Sequence, residues 1–464
     1  MSLVAGVDSS TQSTKVLLVE SETGEIVDSG RAPHPDGTEC HPDRWWEALQ
    51  RAGEGILDRA EAVAVSAQQH GMVVLDEDDR IIRPALLWND TRSAPQAERL
   101  TAEGGGPEAW ARETGLVLVA SFTITKLAWL AEHEPENAEK VASVMLPHDW
   151  LTMKLRGVGA AEATTDRSDA SGTGYWSPHT GEYLPERLVQ ALGHEAALPR
   201  LAAPNEVVGT TAAGAAVAPG TGDNAGAALG LGLGPGDVVV SLGTSGTVFG
   251  VSDVPAADPS GQVAGFADAT GRFLPLVTTL NAARVTDTVR GLLGVDHDSF
   301  DALALEAEPG AGGLTLLPYL DGERTPNRPK ATGVLAGLTT GATRADLARA
   351  AVEGMLSAQA DGLAAVSAQG LEARRVLLIG GAAASNAVRK IAPAVFGMDV
   401  EVPPTAEYVA LGAAKQAAWA LSGEADPPQW NAGDTARFSG SAATAVSEQY
   451  SKLRDETASW ESHR

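Results

Sequence analysis

Two similar segments, about half the chain apart, constrain most strongly how this sequence can fold. In each, an apolar stretch runs into a turn rich in hydroxyl side chains or glycine, and a second apolar stretch follows: LVAGVDSSTQSTKVLLV begins at Leu3, and DVVVSLGTSGTVFGV begins at Asp237. β-Branched residues favour strands, and such turns offer backbone N–H groups and hydroxyls to phosphate oxygens. The repetition predicts two related halves. A plain hairpin turn remains the alternative for each segment considered alone.

Charged residues stand close to these turns. Asp8 ends the first strand, where a carboxylate could hold a magnesium ion through water, and Lys15 could meet a phosphate as a point charge. Asp223 precedes an Ala- and Gly-rich stretch, 224–230, which predicts a helix whose small-residue face lies close to other backbone. Asp is also a favoured N-cap residue, which is the simpler interpretation of Asp223.

Two further predicted strands end in residues suited to ligand binding. The apolar run 63–67 leads into Gln68-Gln69-His70-Gly71, whose amides and imidazole could hydrogen-bond the hydroxyls of a small polyol. A lone histidine is more often structural, and that alternative stays open. The run 375–379 ends in the small residues GGAAASN before a predicted helix over 387–395. Small residues at that point allow a flat ring or a phosphate to lie against the backbone.

Composition limits the class of protein. A chain of 464 residues exceeds one ordinary core, so two or three domains are expected. The formal charge of −26 argues against nucleic-acid or anionic-membrane binding, and the single cysteine excludes an internal disulfide. No signal peptide or membrane span is evident, which predicts a cytoplasmic protein with small-molecule partners and with a homodimer as one option for its assembly.

Two longer segments carry a family resemblance. They are SFTITKLAWLAEH, residues 121–133, which predicts a capped amphipathic helix that packs in the core, and GVLAGLTTGATRADLARAAVE, residues 333–353. With them, the chain from Val4 to about Leu421 resembles the FGGY family of carbohydrate kinases. The resemblance implies an α/β fold of two actin-like (ribonuclease-H-like) domains with an interdomain catalytic cleft. It places the sugar site, phosphate turns and catalytic Asp in residues 1–250 and adenosine binding in residues 251–464.

The resemblance also implies roles for individual residues, with ATP and Mg²⁺ as cofactors. Asp223 matches the family's general base, and Asp8 matches the acid associated with the magnesium and phosphates. The implied sugar contacts are Gln69, His70, Asp223 and Asn224. The implied nucleotide contacts are Thr11, Lys15, Thr244, Gly381, Ala382, Ala383 and Asn386.

The expected reaction is phosphorylation of D-xylulose to D-xylulose 5-phosphate, because Gln69-His70 matches the substrate pair of members that act on this ketose. The alternatives are a kinase of another polyol, such as ribulose, glycerol or gluconate, and an actin-like ATPase that phosphorylates no sugar. The last would have no need of a base aimed at a hydroxyl, so Asp223 and the turn at Gln69-His70 argue against it.

Overall fold

The computed structural model describes residues 2–430 and 433–460, which form two compact units. The first unit contains residues 2–233, 253–274 and 406–430, and the second contains residues 234–252, 275–405 and 433–460. Each unit has its own mixed β-sheet. Each unit consists of three separate chain segments. The predicted division into residues 1–250 and residues 251–464 stays a prediction.

The sheet of the first unit is built around the predicted hairpin. Leu3–Ser9 pairs antiparallel with Ser13–Glu20, and on its other side it pairs parallel with Ala62–Ala67. Every residue of Ala62–Ala67 is buried, as expected for a central strand covered on both faces. Across the sheet the strands follow in the order Gly209–Thr210, Ala216–Val217, Ala62–Ala67, Leu3–Ser9, Ser13–Glu20 and Ile26–Pro33, and Thr221–Gly222 also pairs with Ala62–Ala67.

The second unit repeats this arrangement. Asp237–Leu242 pairs antiparallel with Gly246–Gly250 and parallel with Arg375–Ile379. Across the sheet the strands follow in the order Phe273–Thr279, Gly246–Gly250, Asp237–Leu242, Arg375–Ile379, Val400–Val402 and Ala436–Phe438. Of the first of these strands, residues 275–279 belong to this unit. Both predicted strand–turn–strand segments are confirmed, and each occupies the same position in its own sheet.

Helices and short strand pairs surround the two sheets. The helices of the first unit are Pro42–Ala52, Ala94–Glu103, Pro107–Thr114, Thr123–His133, Pro135–Ala138, Pro147–Arg156, Arg167–Ala170, Pro185–Leu192, Asp223–Leu231 and Tyr408–Ser422. Its remaining strands are Glu39–Cys40, Ala85–Leu86, Val73–Leu75, Ser143–Met145, Thr164–Thr165, Arg200–Leu201 and Ala264–Ala267. The helices of the second unit are Ala283–Leu293, His297–Glu306, Arg344–Ala368, Asn386–Phe396 and Thr444–Glu456, and its hairpin is Thr315–Leu317 with Val334–Ala336. Short 3₁₀ turns span Leu57–Arg59, Ala160–Glu162, Ala311–Gly313 and Gly381–Ala384.

The small-residue helix predicted over 224–230 is confirmed as Asp223–Leu231, and it lies against Tyr408–Ser422. A Cβ added at Gly412 would lie 1.8 Å from the carbonyl oxygen of Gly226, and one added at Gly230 would lie 2.1 Å from that of Tyr408. Glycine is therefore required for the two helix backbones to approach this closely. The contact fixes the helix that begins with Asp223.

The helix predicted in the first family segment is present and packs in the core, but the predicted cap is not there. Thr123–His133 begins without a side-chain cap, and all residues from Thr123 to Ala128 are buried, including Lys126. The Lys126 ammonium donates to the carbonyl of Ala120 at 3.0 Å and also to that of Ser121, so it ties down the chain that enters the helix. Burial lowers the pKa of Lys126 to about 7.

Candidate active site

Asp223 stands at the start of its helix, directly after the strand Thr221–Gly222. Its Oδ1 accepts hydrogen bonds from the backbone N–H of Asn224 at 2.8 Å and from the side-chain amide of Asn224 at 3.0 Å. Burial raises the pKa of Asp223 to about 7, with further contributions from the negative charges of Asp8 and Asp169. A carboxylate with this pKa can exchange a proton near neutral pH.

Hydrogen bonds connect Gln69, in the predicted sugar turn, to Asp223 by way of Asn224. The amide of Asn224 donates to the Oε1 of Gln69 at 3.2 Å, and the Nε2 of Gln69 donates to the carbonyl of Ser168 at 3.3 Å. A Cβ at Gly222 would lie 2.7 Å from the Gln69 amide nitrogen, so glycine leaves the room that this side chain occupies. Three predicted sugar contacts, Gln69, Asp223 and Asn224, thus form one hydrogen-bonded chain.

His70 lies in the same turn with an unusual backbone conformation, φ 68°. Its ring lies 5.2 Å from the Phe122 ring in a perpendicular arrangement and 5.7 Å from that of Phe266. Its carbonyl accepts a hydrogen bond from the Thr123 hydroxyl at 3.2 Å, and a Cβ at Gly172 would lie 2.4 Å from the imidazole. The surroundings therefore fix the orientation of the ring, and its contact with a sugar stays a prediction.

Asp8 and Lys15 face each other across the first hairpin. They are paired in the strand register, and the Lys15 Nζ lies 3.5 Å from the Asp8 Oδ2 and 2.6 Å from the Glu407 Oε2. Burial raises the pKa of Asp8, although the hydroxyl of Ser10 donates to its carboxylate. In the turn itself, the Thr11 hydroxyl accepts a hydrogen bond from the indole N–H of Trp88 at 2.8 Å.

The second unit contains a cavity of about 530 Å³ beside its own hairpin turn. Thr244 lines it together with Gly381 and Ala382, which begin the short turn after Arg375–Ile379. Two other predicted nucleotide contacts, Ala383 and Asn386, are not among the described residues that line this cavity. Ala383 is buried, and the backbone N–H of Asn386 donates to the Asp301 carboxylate at 2.7 Å.

The burial of Gln68 and the roles of Asp169 and Asp301 were not predicted. Gln68 is buried, and neither atom of its side-chain amide has a hydrogen-bond partner within the described part of the chain. Asp169 raises the pKa of Asp223, and Asp301 lines the cavity of the second unit. The polarity of Gln68 and Asp169 was visible in the sequence, but their burial depends on segments distant in the chain.

Residues 2–430 and 433–460 lack two features, a cluster of metal ligands and a membrane-spanning helix. No group of three or more histidine, cysteine, aspartate or glutamate side chains there is arranged to hold a metal ion. Magnesium usually keeps several waters and needs only one or two protein carboxylates, so the lone carboxylate of Asp8 is compatible with water-mediated contact. Among the same residues, no helix combines the length and the apolar character needed to cross a membrane.

The two domains of one protein family together match nearly the whole chain. The N-terminal domain of the FGGY family of carbohydrate kinases matches residues 3–232, and the C-terminal domain of that family matches residues 238–421. The chain belongs to the FGGY family of carbohydrate kinases. The predicted family and the two-domain α/β fold are thereby confirmed, and the FGGY assignment makes the chain an ATP-dependent carbohydrate kinase.

Individual FGGY relatives resemble the chain over almost its full length. A xylulose kinase of Streptomyces coelicolor is 49% identical, over 92% of this chain and 91% of that protein. One of Streptomyces rubiginosus is 50% identical, over 92% of this chain and 89% of that protein. The crystal structure of xylulose kinase from Bifidobacterium adolescentis superposes with a TM-score of 0.92 at 45% identity, covering 98% of this chain and 99% of that one.

Proposed function

We propose that this FGGY kinase transfers the γ-phosphoryl group of ATP to the primary hydroxyl of D-xylulose at carbon 5, giving D-xylulose 5-phosphate and ADP. The observation that carries the proposal is Asp223, a carboxylate with a pKa raised to about 7 that is linked by hydrogen bonds through Asn224 to Gln69. The names of the Streptomyces relatives support the choice of sugar.

The sugar contacts in this proposal come from the first unit. Asn224 and Gln69 present amide groups beside Asp223, and such groups can donate to and accept from several hydroxyls at once. His70 contributes its imidazole from the same turn, with the ring held by Phe122 and Phe266. A ligand held by fixed polar groups of this kind is oriented before the reaction begins, which lowers the entropic part of the barrier.

The nucleotide contacts come from the two hairpin turns and the turn after Arg375–Ile379. Thr11 and Lys15 are assigned to phosphates in the first unit, and Thr244 in the second. The cavity lined by Thr244, Gly381 and Ala382 accommodates the nucleotide, as about 530 Å³ lies within the range of small-molecule sites. Ala383 and Asn386 shape and support the adenosine turn. Asp8 would hold Mg²⁺ through water, and the bound ion would neutralise phosphate charge.

Asp223 acts as the general base. As the sugar hydroxyl oxygen forms its bond to the γ-phosphorus, its proton passes to the Asp223 carboxylate, and the bond from the γ-phosphorus to the oxygen that remains on ADP breaks. The raised pKa makes Asp223 a better proton acceptor than an ordinary aspartate, while it is still largely ionised slightly above neutral pH. Protonated Asp223 then returns its proton to solvent.

Substitution of Asp223 tests this proposal. Asp223→Asn keeps the shape and the hydrogen bonds to Asn224 but cannot accept a proton, so turnover with D-xylulose is expected to fall by ~10² or more. The affinities for ATP and D-xylulose, measured by calorimetry, should stay within about threefold of wild type. The substitution removes an interaction that acts in the transition state and leaves the contacts that bind the two substrates in the ground state. A variant that keeps more than about a tenth of wild-type turnover refutes the assignment of the base.

A further inference from the structure

A buried cluster of charges lies next to the proposed sugar site and is not part of it. The Nδ1 of His148 is 2.6 Å from the Asp169 Oδ2, and its Nε2 is 3.2 Å from the Asp149 Oδ1 and 3.9 Å from the Asp166 Oδ1. The side chains of all four residues are almost completely inaccessible to solvent. Burial alone would lower the pKa of His148, but the carboxylates of Asp149 and Asp169 outweigh it and raise the pKa to about 9.

This cluster holds the short helix Arg167–Ala170 at two points. The Asp166 carboxylate accepts from the backbone N–H groups of Ser168 at 2.9 Å and Asp169 at 3.0 Å, which fixes the start of the helix. The Asp169 side chain, one turn further on, is fixed by its ion pair with His148. A four-residue helix is not stable by itself, so these contacts determine where it lies.

The same short helix contacts both parts of the proposed site through Ser168. The Ser168 carbonyl accepts the hydrogen bond from Gln69, and the Ser168 hydroxyl accepts one from the backbone N–H of Gly222 at 3.0 Å. Gly222 immediately precedes Asp223. A displacement of Ser168 would therefore move a predicted sugar contact and the predicted base together.

His148 also contacts the chain that leads to Asp223. A Cβ at Gly220 would lie 2.5 Å from the His148 Cδ2, so the imidazole packs directly against this backbone. The backbone of Gly220 is also held by the Gln416 side chain, which accepts from the Gly220 N–H at 2.9 Å and donates to the Gly220 carbonyl at 3.0 Å. The imidazole and the Gln416 amide together restrict the strand that delivers Asp223.

We propose that His148 and Asp169 are positioning residues of the kinase, which align Gln69 and Asp223 through Ser168 without touching the substrate. The proposal rests on the proposed function, because it takes Asp223 as the base and Gln69 as a sugar contact. Its alternative is that the ion pair serves folding alone. A buried ion pair is weak evidence of stability by itself, since hydrophobic replacement is often neutral.

Steady-state kinetics of His148→Gln, Asp169→Asn and Ser168→Ala test the proposal in the full-length protein. A misplacement of about 1 Å can cost ~10²-fold in rate, so we expect kcat with D-xylulose to fall at least tenfold in Asp169→Asn. The KM for ATP should stay within about twofold, because the nucleotide contacts of the second unit are untouched. The double variant His148→Gln/Asp169→Asn should lose little more than either single variant, as expected for residues that act as a unit.

A matched control is available in the second unit, where Arg349 and Glu353 form another buried ion pair at 2.6 Å. Glu353→Gln should lower the melting temperature but leave kcat with D-xylulose close to wild type. Ser168→Ala keeps all four charged side chains of the cluster and removes a hydroxyl that accepts from Gly222 and hydrogen-bonds the Asp166 carboxylate, so it remains informative if the cluster variants fail to fold.

The outcomes separate this proposal from the proposed function. Wild-type kcat and sugar KM in Ser168→Ala and in folded Asp169→Asn, with an inactive Asp223→Asn, overturn the positioning role and leave the base assignment intact. Equal loss of kcat in Glu353→Gln would also overturn it, since any buried ion pair would then have the same effect. A fully active Asp223→Asn overturns the assignment of the base, on which this proposal rests.

Discussion

The raised pKa of Asp223 predicts a specific pH dependence for the reaction. A general base is active when ionised, so with a pKa of about 7 its active fraction is about one eleventh at pH 6 and about ten elevenths at pH 8. The kcat/KM for D-xylulose should therefore rise roughly tenfold between these two pH values. An aspartate at its ordinary value of 3.8 would be almost fully ionised throughout, and the rate would be flat.

The assay is coupled ADP release at saturating ATP and magnesium, with limiting D-xylulose. Asp169→Asn provides an internal comparison, because it removes one of the two negative charges that raise the pKa of Asp223, while that of Asp8 remains. In the pH profile of kcat/KM measured from the remaining activity of this variant, the acid limb should shift to lower pH. A profile that is flat between pH 6 and pH 8 in the wild type, or an unmoved limb in Asp169→Asn, would refute this reasoning.

Two further predictions concern the sugar turn and the helix contact that supports Asp223. His70→Ala should lower kcat/KM for the sugar and leave the KM for ATP nearly unchanged in the same assay; equal losses toward both substrates with a lowered melting temperature would favour a purely structural histidine. Gly412→Ala should destabilise the protein by about 1–3 kcal/mol in denaturant unfolding, because its Cβ would lie 1.8 Å from the Gly226 carbonyl oxygen. Gly291→Ala is the matched control, since its Cβ would meet nothing within 4 Å; a loss of stability equal to that of Gly412→Ala would contradict the steric argument.

Much of the fold could be predicted because its signals are local. The hairpins that contain Asp8 and Thr244 follow from apolar runs separated by turn residues, and both are present. The helix after Asp223 follows from its small residues, and the two close backbone approaches explain why they are small. Gln69 and the adjacent pair Asp223-Asn224 come from separate parts of the sequence. The prediction that they belong to one sugar site remains untested, although they are hydrogen-bonded neighbours.

The remaining features depend on contacts that sequence patterns do not specify. The start of the helix Thr123–His133 is held by the buried Lys126, and no local pattern distinguishes this lysine from an exposed one. The polar turn that contains Asp169 has the composition of a surface loop. It is nevertheless buried, and the imidazole of His148, 21 residues earlier, lies 2.6 Å from the Asp169 carboxylate. Such charge clusters are determined by tertiary packing, which outweighs local composition.

The central claim is most directly tested by initial rates of ADP release with a panel of acceptors, namely D-xylulose, D-ribulose, glycerol and D-gluconate, and with no acceptor. We expect the highest kcat/KM for D-xylulose, little ADP release without a sugar, and loss of the D-xylulose rate in Asp223→Asn. A higher kcat/KM for another acceptor would contradict the assigned substrate. ADP release that is independent of any sugar would contradict sugar phosphorylation itself.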